Sequence, residues 1–308
     1  MRALANWVMA GRSQAALVIA CAMFLALLLP PLMFVSGAAL ALVALRRGGG
    51  EGGLVLGFAA AGSLAIAWLL FGSPGPVLTV LPGFWLPVLL LAVVLRASVS
   101  LAVATLVAVL LGWVAVLGFH LLVDDTAAWW LQVLNASIRQ ALGEAGMDSD
   151  GMVAVDEILQ FLAPLMTGIV AANGALSALL ALLLGRGWQA LLYNPGGLRR
   201  EFHALRLGRW PAVVMMALLA TVALAHSPFA GNLAIVAGAA YVLQGLAVVH
   251  GLVGLRGMSR VWLVALYLAL LLALPQVGLG LIALALVDAW ADLRARVRRP
   301  ISTERRDP

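Results

Sequence analysis

Residues 77–123 read VLTVLPGFWLPVLLLAVVLRASVSLAVATLVAVLLGWVAVLGFHLLV. Two apolar runs, 77–95 and 98–123, flank a break that carries a single charge, Arg96. Each run is close to or above the roughly 20 residues that an α-helix needs to cross the hydrocarbon of a bilayer. A surface helix of a soluble protein turns a polar face to water at helical spacing. These runs are apolar all round, so the solvent they fit is lipid.

Working outward, the same pattern recurs at 13–29, 32–45, 54–71, 157–184, 211–226, 232–254, 260–274 and 277–292. Over 308 residues, 64% are hydrophobic and 10% charged, with mean hydropathy +1.07. A soluble domain carries about 25% charge to cover its surface. The expected fold is therefore all-α, a polytopic integral membrane helix bundle. One domain spans 1–297, followed by a polar tail at 298–308.

Arginine placement sets the crossing count. Runs 32–45 and 260–274 are short, and 13–45 or 260–292 could each be one helix kinked at Pro30-Pro31 or at Pro275. Merging the first pair alone would put Arg46 and Arg47 opposite Arg2 and Arg12. Merging the last pair alone would export Arg294, Arg296, Arg298 and Arg299. With ten crossings, eighteen of the nineteen arginines fall on the cytoplasmic side and only Arg139 lies outside, as the positive-inside rule requires. Ten crossings with both termini cytoplasmic are expected, with eight as the alternative. Arg2 and Arg12 before 15–29 imitate a secretory signal. The Pro30-Pro31 continuation and the lack of a small-x-small cleavage site favour a retained helix. A bacterial inner membrane is the expected location.

Composition also excludes chemistries. All nineteen basic residues are arginine, which removes a P-loop lysine, a Schiff-base lysine and a serine–lysine dyad. No HExxH, GxSxG with partners, Walker A or Rossmann fingerprint is present, so no enzymatic activity and no cofactor are expected. Cys21 is the single cysteine, so there is no intrachain disulfide. It reads as a small packing residue. Asp148-Ser149-Asp150-Gly151 resembles the start of a calcium loop but lacks the glycine and terminal glutamate at loop spacing. The net charge of +6 and pI of 10.9 fit anionic lipid headgroups, with no nucleic acid, because the arginines are dispersed among membrane-flanking breaks.

The longest extramembrane stretch, 124–156, gathers six carboxylates on the expected outer side, with Glu157 directly after them. Within it Trp130, Val133, Leu134, Ile138, Ala141 and Leu142 recur at helical spacing, giving an amphipathic helix at the outer interface. It either closes a long loop or acts as a lid. On the inner side, 194–210 carries a basic amphipathic segment. Leu198, Phe202 and Leu205 form a stripe flanked by Arg199, Arg200 and Arg206, suited to docking lipid or a cytoplasmic or membrane protein partner.

Polar groups within the apolar runs are costly and therefore informative. Tyr241 and Gln244 share a face with Gly238, Gly245 and Val248. Asn173 edges a small-residue face made by Thr167, Val170, Ala171, Gly174, Ser177 and Ala178. They are candidate ligand-binding residues, or interhelical glue beside small packing residues, which is the plainer alternative. Asp288, close to Asp292 and Arg294, reads as an end-of-helix partner for arginine. Pro74, Pro76, Pro82 and Pro87 predict a broken outer half in the helix from 77.

Trp85–Ser100 (WLPVLLLAVVLRASVS), Asn194–Arg209 and Asp288–Arg294 resemble the YybS-like family of predicted bacterial membrane proteins. That family is remotely similar to the substrate-binding (S) components of energy-coupling-factor vitamin transporters. The resemblance implies solute binding in the membrane, with Ala16/Ala20 and Ala22/Ala26 matching the small-xxx-small pattern by which S components meet a transmembrane partner. This chain departs from S components in its larger number of apolar runs and in having no recognisable vitamin-binding loop. The expected function is solute binding or transport of a small-molecule ligand without an ATPase of its own. The alternative is a non-transporting membrane scaffold or regulator.

Overall fold

The computed structural model describes residues 1–144 and 149–298, with side chains over 1–138 and 153–297. Arg139, Ala141, Leu142, the acidic residues 144, 148 and 150 and the tail 298–308 lie outside those side chains, and with them one arginine and much of the acidic cluster on which the outer-side expectation rests. Every regular element described is helical.

The first half runs α1 (Arg2–Ala10), α2 (Arg12–Leu25), α3 (Leu32–Arg47), α4 (Gly49–Phe71), α5 (Gly75–Val80), α6 (Leu86–Ser98) and α7 (Leu101–Leu122). After α8 (Thr126–Glu144) and α9 (Ser149–Leu162) come α10 (Met166–Tyr193), α11 (Gly197–His203) and α12 (Arg209–Ala225). The chain closes with α13 (Pro228–Leu255), α14 (Val261–Leu272), α15 (Leu274–Ala291) and α16 (Leu293–Arg298). Among the described residues, six helices are long and apolar enough to cross a membrane: Gly49–Phe71, Gly75–Ser98, Leu101–Leu122, Val153–Tyr193, Pro228–Leu255 and Leu274–Ala291. Helices α2, α12 and α14 are apolar but shorter.

The short run 32–45 is the centre of the bundle. Every residue from Ser36 to Leu45 is buried. Small residues make this possible, since Gly185 of α10 lies so close to α3 that a Cβ there would sit 2.7 Å from the Ala41 Cβ. Such close approach is how apolar helices associate when no hydrophobic force drives them together. Helices α2 and α3 form an antiparallel hairpin. Ser36 Oγ donates to the Ile19 carbonyl at 2.8 Å, and Arg47 Nη2 to the Met9 carbonyl at 2.6 Å. One helix kinked at Pro30-Pro31 is thereby excluded.

The other short run has a different reason. Helices α13 and α15 run parallel, with Val242 beside Gly278, Gln244 bonded to Ala285, and Gly251 beside Arg294. Helix α14 must return the chain between them, and its twelve residues reach roughly 18 Å at 1.5 Å each. That suffices because α15 begins partway along α13. No residue of α14 is buried, an all-apolar exposure that fits lipid.

The proline cluster produces less disruption than expected. Residues 81–85 form a single π-helical turn, and α5 and α6 continue through it without a break. Pro82 and Pro87 donate no backbone hydrogen bond, and a wide turn accommodates the missing donors. The turn carries Trp85, fully buried, whose indole donates to Ser36 Oγ at 2.9 Å.

The two ends of the bundle differ. At one, Arg12 pairs with Glu51, Arg96 Nη1 donates to the Leu45 carbonyl at 2.7 Å, and Arg46 stacks 4.3 Å over the Tyr193 ring. The breaks after α3, α6 and α10 therefore gather with their arginines at one end. At the other, α8 lies across the start of α10, with Trp130 Nε1 donating to Thr167 Oγ1 at 2.8 Å. Trp130, Val133, Leu134 and Ile138 are half-buried while Gln132, Ala136 and Ser137 are exposed, the amphipathic face read from spacing.

Candidate functional site

The arginine-bearing end holds a dense polar junction. Gln244, fully buried, accepts from the Leu207 amide at 3.0 Å and donates Nε2 to the Ala285 carbonyl at 3.0 Å. Asp288, also fully buried, receives Arg294 Nη2 at 2.7 Å and the Leu293 amide at 3.0 Å. Arg294 Nη1 donates in turn to the carbonyls of His203 and Leu205, at 2.7 and 2.9 Å. Helix α15 ends with Asp292 in the left-handed region (φ 45°). The carbonyl of Asp288, which also accepts the Asp292 amide at 3.1 Å, and that of Ala289 take Arg206 Nη2 at 3.1 and 3.0 Å, while Arg206 Nη1 meets Asp292 Oδ2 at 2.7 Å. Burial alone would raise the Asp292 carboxyl. The Arg206 hydrogen bond, the Ala295 amide and the charges of Arg206 and Arg294 hold it below its ordinary value.

This junction divides the basic amphipathic segment expected over 194–210. Helix α11 stops at His203, and 205–208 run without helical bonding. Leu205 and Leu207 turn into the core, and Arg206 is bound within the protein. The stripe of Leu198, Phe202 and Leu205 is thus split, because the chain must unwind here for Leu207 to reach Gln244. Arg199 and Arg200 remain exposed, with Arg200 reaching Asn194 Oδ1 at 3.3 Å. Leu198 is half-buried, and half-buried Phe202 meets the His250 ring edge-on at 5.6 Å. Glu201 holds the buried Arg186 through two hydrogen bonds.

Tyr241 lies one turn before Gln244 on α13 in a different setting. It helps to wall a crevice of about 320 Å³ between α7, α12 and α13, with Val109, Trp113, Trp210, Val214 and Ala240. The crevice surface is almost wholly apolar. Trp113 directs its indole N–H to the Leu233 carbonyl at 2.9 Å. The Tyr241 hydroxyl is buried and has no partner among the described residues, a condition that costs about 1–3 kcal/mol relative to a satisfied group. Asn173 is exposed on α10. Of the three candidate residues, Tyr241 lines this crevice, while Gln244 and Asn173 line none of the described cavities. A separate, mostly apolar cleft of about 360 Å³ runs from Pro82, Gly83 and Pro87 to Gly112 and Gly174.

Two recesses open at the arginine-bearing end. One, about 320 Å³, is lined by Arg46, Arg96, Arg186, Tyr193 and Glu201. The other, about 370 Å³, is lined by Arg199, His203, His250 and Arg260. Burial, then the charges of Arg199, His250 and Arg294, hold the His203 imidazole below its ordinary value.

Several residues were missed by sequence reasoning. Asn232, fully buried, donates to the Pro164 and Pro228 carbonyls at 2.9 Å each and accepts from the Gly168 amide. The available signal was an asparagine at a helix start and a proline in another run, each lacking an obvious partner. Among the described residues, no group of three or more His, Cys, Asp or Glu side chains is placed to hold a metal ion. No protein-family model, curated protein or solved structure matches the chain.

Proposed function

We propose that this chain is a multi-pass bacterial inner-membrane protein of the solute-binding or transport class, without an ATPase of its own, whose ligand is an apolar molecule carrying one hydrogen-bonding group. The observation behind this is the apolar crevice that Tyr241 helps to wall, beside a tyrosine hydroxyl that is enclosed and, among the described residues, without a partner. A ligand oxygen that displaced the side chains covering it would satisfy it, and the Val109, Trp113 and Val214 walls suit a hydrocarbon or ring system. The other interior polar groups described above, at Gln244, Asn232 and Asp288, are already satisfied, which leaves little for a strongly polar solute. The resemblance to YybS-like proteins and S components agrees with ligand binding in the membrane, with the ligand drawn from the bilayer.

Ten crossings with both termini cytoplasmic go with this proposal. The α2–α3 hairpin and the parallel α13–α15 pair, which needs α14 as a return passage, support that count. So does the clustering of arginine-bearing breaks at one end. Retention of an apolar molecule through purification, and its loss in Tyr241→Phe, tests the function.

A second function, a scaffold that binds a membrane partner, has one observation in its favour. Helix α14 contributes no buried residue and exposes Trp262, Leu271 and Leu272. Lipid covers such a surface equally well, so the crevice carries the conclusion. Cross-linking from Trp262→Cys distinguishes the two, since a scaffold yields one discrete protein adduct.

A further inference from the structure

The recess between α11, the end of α13 and the start of α14 differs from its neighbour in one respect. Its cations have no carboxylate. In the other recess Glu201 neutralises Arg186, whereas Arg199 and Arg260 enter no ion pair among the described residues and no acid lines the wall. Two elements bring them together. Gly257 (φ 62°) turns the chain between α13 and α14, which returns Arg260 toward α11. Gly254 lets α11 approach α13, since a Cβ there would lie 3.1 Å from the His203 ring and 3.4 Å from Arg199 Nη2. The His203 ring makes no hydrogen bond among the described residues, its carbonyl being the group that Arg294 holds. His250 forms the back wall, with Nε2 2.9 Å from the Tyr267 hydroxyl. Val253, Met258 and Leu263 supply an apolar side.

We propose that this recess binds a phosphate group, gripped by Arg199 and Arg260 with His203 as a further donor, and that its apolar side receives the adjoining carbons of the ligand. Guanidinium forks match phosphate oxygens in geometry and charge. The site stands apart from the Tyr241 crevice and does not depend on it. It is also proton-linked. The groups around His203 are Arg199 on α11, His250 on α13 with Tyr267 behind it, Arg260 across the recess, and Arg294 on α16. Arg294 is already engaged by Asp288. Burial, then the charges of Arg199, His250 and Arg294, hold the imidazole below its ordinary value. A bound phosphate opposes them, so binding favours a proton on His203 and the imidazole's contribution to affinity grows as pH falls.

The test uses the full chain in detergent with three probes: dioctanoyl phosphatidic acid, dioctanoylglycerol and inorganic phosphate. Phosphatidic acid is expected to bind at least about tenfold more tightly than dioctanoylglycerol, the effect of charge-assisted hydrogen bonds. Arg199→Gln with Arg260→Gln, both at exposed positions, should remove that difference without changing thermal unfolding. Arg46→Gln with Arg96→Gln at the other recess should leave it intact. From pH 8 to pH 6 the wild type should gain affinity relative to His203→Gln, a ratio in which the phosphate's own second ionisation, at about pH 6, cancels. Inorganic phosphate binding as tightly as the lipid would assign the source to soluble phosphates, and binding of the lipid alone would assign it to a headgroup. Equal binding of phosphatidic acid and dioctanoylglycerol overturns the proposal, as does equal loss from the two arginine pairs.

Discussion

Asp288 and Arg294 form an enclosed ion pair, with Oδ2 2.7 Å from Nη2 and the carboxylate fully buried. The pair joins α15 to α16, and Arg294 carries the connection on to the backbone of His203 and Leu205. Removing one partner leaves a charge with no counter-charge away from water. Asp288→Ala should therefore lower stability by about 3–5 kcal/mol. Asp288→Leu combined with Arg294→Leu should cost less than Asp288→Leu alone. Unfolding in mixed micelles titrated with a denaturing detergent measures both, and an additive double mutant would argue against a coupled pair.

Gln244 separates glue from ligand contact. Gln244→Leu leaves the Leu207 amide and the Ala285 carbonyl without their side-chain partner, at about 1–3 kcal/mol. The expected outcome is a lower unfolding midpoint with retained ligand content. Unchanged stability with lost ligand would return Gln244 to the binding site.

Acid sensitivity at this end should be small and have a definite sign. The Asp292 carboxyl is held below its ordinary value of 3.8. Its contribution is therefore present above about pH 4 and is lost as pH falls through the lowered folded value. With 44% of the side chain exposed, that contribution stays under about 1 kcal/mol. Asp292→Asn should lose this small increment at pH 7 and match the wild type near pH 3. A constant difference across that range would rule out the ion pair as its source.

Sidedness follows from the arginine-bearing end. Ser149→Cys and Ser302→Cys, each in a Cys21→Ala background, should react with an impermeant thiol reagent from opposite faces of the membrane. Labelling of both from the same face would break the ten-crossing assignment.

The lipid-crossing runs were legible because an unbroken apolar stretch such as 98–123 has few alternatives. Burial was not legible in the same way. Both α3 and the exposed α14 are apolar, and only the denser small residues of LMFVSGAALALVAL, against VWLVALYLALLL, hint at which of the two is enclosed. The turn at 205–208 was hidden for another reason. Leu198, Phe202 and Leu205 do align at helical spacing, but Leu207 finds its partner 37 residues away, on Gln244. Local periodicity does not carry that contact. Pro82 and Pro87 announced irregularity without its form, a π-helical turn that keeps the helix continuous. Of the candidate polar residues, the Tyr241 hydroxyl lacks a partner among the described residues and Gln244 is fully engaged, a difference that depends on neighbours from α7, α12 and α15.

The central claim is that the crevice beside Tyr241 holds an apolar ligand. The direct measurement is mass spectrometry of the organic extract from purified protein, comparing wild type, Tyr241→Phe and Val214→Trp. Tyr241→Phe removes the hydroxyl while keeping the ring, and Val214, 44% exposed at the crevice wall, can carry an indole that fills the space. One apolar species bearing a hydroxyl or carbonyl should be retained near one equivalent by the wild type. It should be depleted in both variants while the unfolding midpoints stay within a few degrees of the wild type. No enriched species in the wild type, or the same species equally retained by all three, contradicts the claim.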